Sequence, residues 1–224
     1  SNINYTPTAY EKDLILYFKE IALQSEYDKN PEKVIKWKDS MVVFIVKEKD
    51  YERQILFIKK TIDEINRLAT DRYKIVLTND ILKSNSVLYL CSKEKVAELN
   101  PNFYKMLNDG INYEISGLSY SEFSTINYVI DKALIFINSE EPIERQESTI
   151  LEEITQSLGL AFDSELHPNS IFYKNKSGMK VLVKKYSQLD RDVIRLLYHS
   201  RMKPGLDSIQ VERVIKKILK SEKN

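Results

Sequence analysis

The stretch Ser148-Thr149-Ile150-Leu151-Glu152-Glu153-Ile154-Thr155-Gln156-Ser157-Leu158-Gly159-Leu160 decides how the rest of the chain is read. Its apolar residues Ile150, Leu151, Ile154 and Leu158 recur at helical spacing and so line one side of a helix. Ser148 or Thr149 is placed to cap that helix, with Glu152 or Glu153 near the third position of a capping box, and Gly159 is placed to end it. Glu152 and Gln156 stand one turn apart on a single face, with Glu153 beside them. The stretch thus sets two adjacent carboxylates and an amide on a helix that a glycine closes.

Working outward, Met41-Val-Val-Phe-Ile-Val46 is a continuous apolar run rich in β-branched residues, expected as a central strand buried on both faces. Ile55, Ile58, Ile62, Ile65 and Leu68 then repeat every three or four residues, which predicts a long helix packing one face on a sheet. Tyr73–Leu77, Ser86–Cys91, Asn112–Tyr120 and Tyr128–Asn138 read as further strands, with a short helix over Glu94–Leu99. The helix between the first two strands allows a right-handed parallel crossover, and the closing pair allows an antiparallel edge. Ahead of all this, Leu14, Tyr17, Phe18, Ile21 and Leu23 suit an amphipathic helix over Tyr10–Tyr27. Beyond the quoted stretch come a loop with Pro168, a Ser170-Ile-Phe-Tyr173 segment and a short strand at Met179–Val183. Two helices, Leu189–Ser200 and Ser208–Lys220, follow, parted by Pro204-Gly205.

Composition removes several function classes. The chain has 224 residues, 42% hydrophobic and 30% charged, with 34 Lys+Arg against 33 Asp+Glu. That length suits one large domain or two small ones, and the balanced charge excludes a strongly basic nucleic-acid binder. No stretch approaches the ~20 apolar residues of a membrane span. The five glycines, at 110, 117, 159, 178 and 205, are too far apart for a dinucleotide fingerprint or a phosphate loop. Cys91, His167 and His199 are the whole stock of soft metal ligands, so one chain cannot build a zinc site of four Cys/His ligands. Ser1-Asn2 reads as the remnant of a cleaved tag, so the start of the chain says nothing about a leader.

The spacing of Glu152, Glu153, Gln156 and Gly159 resembles the metal helix of the metzincins. There H-E-x-x-H-x-x-G holds zinc with two histidines, the glutamate polarises the attacking water, and the glycine turns the chain towards a third ligand. In this chain the glutamate matches at Glu153 and the turn at Gly159, while both histidine positions are changed. The order of strand, long helix and further strands ahead of the helix resembles the N-terminal half of matrixins. Asn169-Ser170-Ile171-Phe172-Tyr173 resembles their Met-turn, with Phe172 in place of the methionine. Leu189-Asp190 through Leu197-Tyr198 resembles their closing helix. The pattern E-E-x-T-Q-x-L-G-L, together with Ser-Ile-Phe and Pro204-Gly205, is closer still to a family of uncharacterised bacterial exported domains in which the zinc histidines are replaced.

That resemblance implies an α/β (α+β) fold of zincin type: a mixed five-stranded twisted sheet, long helices, an active-site-type helix and a small C-terminal helical subdomain. Residues 1–37 stand as an N-terminal helical extension and 38–224 as one domain, divided near residue 160. It implies that Glu152, Gln156 and Asp163 occupy the zinc-ligand positions, that Glu153 is a vestigial or working general base, and that Gly159, Phe172 and Tyr173 border a cleft. An oxygen-rich set of this kind suits zinc poorly, so no cofactor is expected, and a metal is the lesser alternative. The implied protein is secreted or envelope-associated and lacks ordinary zinc peptidase activity. Its partner is an extended peptide or an envelope protein, not nucleic acid. The rival reading is a metal-dependent hydrolase with Glu153 as base and a metal on Glu152, Asp163 and His167.

Blander readings stand beside each residue. Glu152 and Glu153 suit any first helical turn, where the dipole stabilises them by about 0.3–1 kcal/mol. Gln156 suits a solvated amide, His167 a surface histidine, His199 a helix end and Cys91 a small core residue. One geometric criterion separates the readings. A metzincin-like chain keeps Glu152 and Gln156 off bulk solvent, beneath a strand-bounded cleft, with Phe172 below.

Overall fold

The structure is a computed structural model and describes residues 3–23, 32–109, 114–177 and 181–224. Its elements are α1 (Ala9–Leu23), β1 (Lys36–Trp37), β2 (Met41–Lys47), α2 (Glu52–Leu68), β3 (Ile75–Thr78), a 3-10 turn (Ile81–Lys83), β4 (Ser86–Cys91), α3 (Lys93–Leu99) and α4 (Pro101–Asn108). After them come β5 (Gly117–Phe123), β6 (Val129–Asn138), α5 (Ile143–Gln156), α6 (Gln188–Leu197) and α7 (Ser208–Ser221). The strands make one sheet in the order β3-β2-β4-β6-β5. In it β3, β2, β4 and β6 run parallel, and β5 lies antiparallel on β6. The mixed α/β architecture is the one expected. The sheet has a sixth member, β1, whose Lys36 and Trp37 pair with Val129 and Ile130 at the start of β6.

Alternation along the strands divides the core between two faces of the sheet. Met41, Val43, Ile75, Leu88, Leu90, Ala133, Ile135 and Ile137 point to one face. Ile58, Ile62 and Ile65 of α2 and Ile150, Leu151 and Ile154 of α5 pack on it. Tyr89, Cys91 and Phe136 point to the other, under Val96 of α3 and Phe103 and Leu107 of α4. The second layer stops short of β2 and β3, where Val42 and Phe44 stay half-buried and Val76 is 46% exposed. This corrects the expectation for Met41–Val46. β4 and β6 are the strands buried on both faces, whereas β2 is covered on one.

Other expectations are corrected too. α5 begins at Ile143 behind Pro142, not at Ser148 or Thr149, which are buried inside the helix. The polar run ahead of them is helical because its polar groups find partners across α2. Gln54 Nε2 donates to Gln146 Oε1 at 3.1 Å, and Arg53 pairs with Glu147 at 2.5 Å. α4 lies in a stretch with no expected element, opened by Pro101 behind an Asn100 cap whose side chain accepts from Phe103 N. β5 begins at Gly117 rather than Asn112; residues 112 and 113 lie outside the described residues. So do 24–27 of the first expected helix and 179–180 of the expected strand at Met179–Val183, whose described end, 181–183, is not a strand.

Candidate functional site

The end of α5 is held from two sides. Its last carbonyls have no partner within the helix, and here Trp37 Nε1 donates to Ser157 O at 2.8 Å while the Tyr198 hydroxyl donates to Leu158 O at 2.7 Å. Trp37 N in turn donates to the Tyr198 oxygen at 3.2 Å. Gly159 follows with φ 103°, and a Cβ there would stand 2.0 Å from Ile35 O. Glycine is required for both reasons. This clamp fixes where residues 152–156 point.

Glu153 lies under β5. A Cβ on Gly117 would meet Thr149 Cγ2 at 2.4 Å, Phe136 O at 2.6 Å and Glu153 Cγ at 3.1 Å, so the helix and strand touch because residue 117 has no side chain. Glu153 is 6% exposed, and its Oε2 is buried with no hydrogen-bond partner. Burial, and secondarily the charge of Asp163, push its carboxyl up to about 8. Glu152 is buried, Gln156 is half-buried, and Asp163, with Lys174 Nζ 3.6 Å from its carboxylate, is half-buried. Glu152 is therefore shielded from bulk solvent, and Gln156 is shielded in part.

A turn follows the helix. Ser164 and Tyr173 form a parallel bridge, with Ser164 N donating to Phe172 O at 2.8 Å and Lys174 N to Ser164 O at 2.9 Å. Phe172 is fully buried in the core that holds Leu151, Ile154 and Leu158; Tyr173 is half-buried. The turn is pinned by groups that sequence reading left unassigned. Tyr17 of α1 shares a hydrogen bond of 2.5 Å with Ser170 Oγ, which donates to Asp190 Oδ1 at 2.6 Å. Asp190 also accepts from Ile171 N at 3.1 Å and caps α6 through Ser187. Gly117 was missed as well, and its signal was the isolated glycine inside the expected strand Asn112–Tyr120.

A family profile matches residues 11–217, which is most of the chain and runs from α1 into α7. The chain belongs to the DUF2927 family. The family is described as a protein of unknown function. No curated protein matches the chain.

Within this DUF2927 fold the remaining candidates are accounted for by packing. His167 sets its ring edge-on to Tyr17, with centroids 4.7 Å apart, and His199 Nδ1 accepts from Arg201 N at 3.0 Å. Burial pushes the Cys91 thiol up to about 12. Among the described residues no three His, Cys, Asp or Glu side chains are gathered closely enough to hold a metal ion. Two open grooves lie elsewhere, one at Tyr104–Asp109 and one between Arg53, Leu56, Phe57 and Glu147.

Proposed function

We propose that this DUF2927 chain is a polypeptide-binding module on a metzincin-like framework, working without ordinary zinc peptidase chemistry and taking an extended segment along the outer edge of β5. The same reading makes it an exported or envelope-associated protein, as the sequence resemblance implies. The framework reading is supported by the parallel strands with one antiparallel edge strand, the helix carrying Glu153 and Gly159 behind them, and the buried Phe172 turn.

The observation that carries the binding reading is the difference between the two edges of the sheet. At β3 the Asn66 side chain accepts from Ile75 N at 2.8 Å and donates to Ile75 O at 3.0 Å, so the outward backbone groups of Ile75, at the start of that edge, are stoppered. At β5, Asn138 N donates to Ser116 O at 2.8 Å, which sets the alternation along the strand. Leu118 and Tyr120 bond to β6, while Gly117, Ser119 and Ser121 turn their N–H and C=O outward. Among the described residues no strand pairs with that side. An added extended strand satisfies such groups.

A zincin framework also implies a catalytic zinc, and the residues at its place do not fit one. Zinc takes nitrogen, thiolate or carboxylate ligands, three of them in a catalytic site. Of the three ligand positions, Gln156 offers a neutral amide and the Asp163 carboxylate pairs with Lys174 Nζ at 3.6 Å, so Glu152 is the one position whose chemistry suits zinc. The test is zinc titration and a peptide-hydrolysis assay on the full chain, with hydrogen exchange read at Ser119 and Ser121 as extended peptides are added. The expected result is no stoichiometric zinc, no hydrolysis and slowed exchange at both amides. Unchanged exchange with every peptide sinks the binding reading. Bound metal with hydrolysis abolished by Glu153→Gln establishes the hydrolase instead. One observation favours that second reading: a carboxyl raised to about 8 gains and loses its proton close to neutral pH, the range in which a general acid or base works.

A further inference from the structure

We propose that the segment received at β5 is apolar along one face, with aliphatic or aromatic side chains on alternate residues set against Leu118 and Tyr120, and that Tyr120 is the residue that selects it. The inference rests on the β5 reading above and adds the class of segment to it. Strand alternation divides the side chains of β5 between the two faces of the sheet. Leu118 and Leu134, both half-buried, pack at the margin of the cluster of Tyr89, Phe103 and Phe136, on the side of α3 and α4. Tyr120 lies two residues on from Leu118 and opposite Leu134 of β6, so it shares that side, and it is 36% exposed. On the other side the same stretch carries only Gly117, Ser119 and Ser121, which offer little apolar area. From Gly117 to Ser121 no residue is charged, and the one irregularity of the strand falls beyond, between Glu122 and Phe123. This part of the edge thus lacks the charges and bulges with which free edges are guarded.

Strand addition turns this asymmetry into a preference. An antiparallel segment that bonds to the outward groups of Gly117, Ser119 and Ser121 sets its residues opposite Leu118 and Tyr120 at non-hydrogen-bonded positions, where facing side chains come closest. Side chains opposite one another share a face, and aromatic with β-branched is among the favoured pairs. An aliphatic or aromatic side chain there covers the exposed part of the Tyr120 ring and takes apolar surface of both partners out of water. The alternate residues of the segment stand opposite glycine and serine, so apolar character gains little at those places. A charged side chain opposite Tyr120 loses water without gaining a partner. The preference is therefore set on the side of the sheet away from α5.

The experiment titrates three blocked peptides calorimetrically into the full chain and its Tyr120→Thr and Tyr120→Phe variants, with hydrogen exchange at Ser119 and Ser121 followed in parallel. One peptide is apolar along one face, Thr-Val-Thr-Tyr-Thr-Val-Thr. The second regroups the same residues as Thr-Thr-Val-Tyr-Val-Thr-Thr, and the third is threonine throughout. The one-faced peptide is expected to bind about tenfold or more tighter than the threonine peptide, and about threefold or more tighter than the regrouped one. Tyr120→Thr brings the one-faced peptide to within about threefold of the threonine peptide, whose own binding is unchanged, while Tyr120→Phe keeps the preference. Equal binding of the one-faced and threonine peptides to the unaltered chain overturns the inference, as does a regrouped peptide that binds as tightly as the one-faced one. A preference that survives Tyr120→Thr, or is lost in Tyr120→Phe, overturns it too. If all three peptides slow exchange at Ser119 and Ser121 equally, only the one-faced inference fails. If none does, the β5 reading fails and takes this inference with it.

Discussion

Asp190 and Glu153 are both buried acids, and they differ in what surrounds them. Asp190 accepts from Ser170 Oγ, Ile171 N and Ser187 N, so its oxygens are used to join α6 to the Phe172 turn. Asp190→Ala leaves those donors unpaired, and an urea melt is expected to show a loss of about 3–5 kcal/mol. Glu153 has one oxygen with no donor, and its carboxyl is pushed from an ordinary 4.5 to about 8. A folded-state pKa above the unfolded one means the native chain holds a proton that the unfolded chain releases. Stability from this group is therefore complete below pH 4.5 and is lost as pH rises to about 8, at ~1.4 kcal/mol per pH unit at most. Melts from pH 4.5 to 9 should show that slope flattened in Glu153→Gln, with the variant the more stable above pH 8; parallel curves would refute the burial argument. Glu153 was legible in sequence because its neighbours on the helix are patterned. The pairing of Asp190 with Ser170 was not, since nothing local to either residue shows which turn meets which helix.

An element's ends depend on partners far along the chain, and α5 shows both outcomes. Its C-terminus was legible because Gly159 is a local signal, and φ 103° there is a conformation glycine adopts freely. Its N-terminus was not, because Ser148 and Thr149 carry good capping chemistry. Tertiary contact overrides that preference: Ser148 Oγ instead accepts from Val183 N at 3.1 Å. β1, at two residues, is too short to show any alternation. It still positions α5, through Trp37, and anchors α6, since the buried Lys36 ammonium donates to Leu197 O at 2.5 Å and Met202 O at 2.9 Å. The Tyr198 hydroxyl is the link between these ends, as donor to Leu158 O and acceptor from Trp37 N. Tyr198→Phe keeps the ring stacked on Tyr73 at 4.2 Å and removes only the hydroxyl. A loss of about 1–3 kcal/mol is expected in denaturant unfolding, with faster exchange at Trp37 N; an unchanged midpoint would show that the hydroxyl holds nothing.

At the scale of the molecule, the periodicities gave the strand order along the chain and the helix between the first two strands, while the order across the sheet and the uneven second layer needed coordinates. Hydrophobic runs look alike whether one face or both are covered, so Met41–Val46 overstated the burial of β2. Of the sheet's edges the antiparallel one, at the closing pair of strands, was legible, whereas the stopper on β3 was not, because Asn66 sits on a helix and nothing in the sequence ties it to Ile75. Its amide makes both bonds to that residue's backbone and closes the β3 side at Ile75, beside which Leu82 is 92% exposed and Val76 46%. Opening this edge should create a pairing surface with an apolar flank, the combination that leads to edge-to-edge association. Asn66→Ala is therefore expected to lose about 1–2 kcal/mol of stability and to self-associate with rising concentration in sedimentation velocity, with the unaltered chain as the control. Hydrogen exchange would quicken at Ile75 in the dilute variant and slow again on association, while Ser119 and Ser121 on β5 stay as they were. A variant that shows the same sedimentation as the unaltered chain at every concentration would mean that the amide does not guard the edge. The contrast between the β3 and β5 edges would then no longer favour β5 as the place where a partner strand is received.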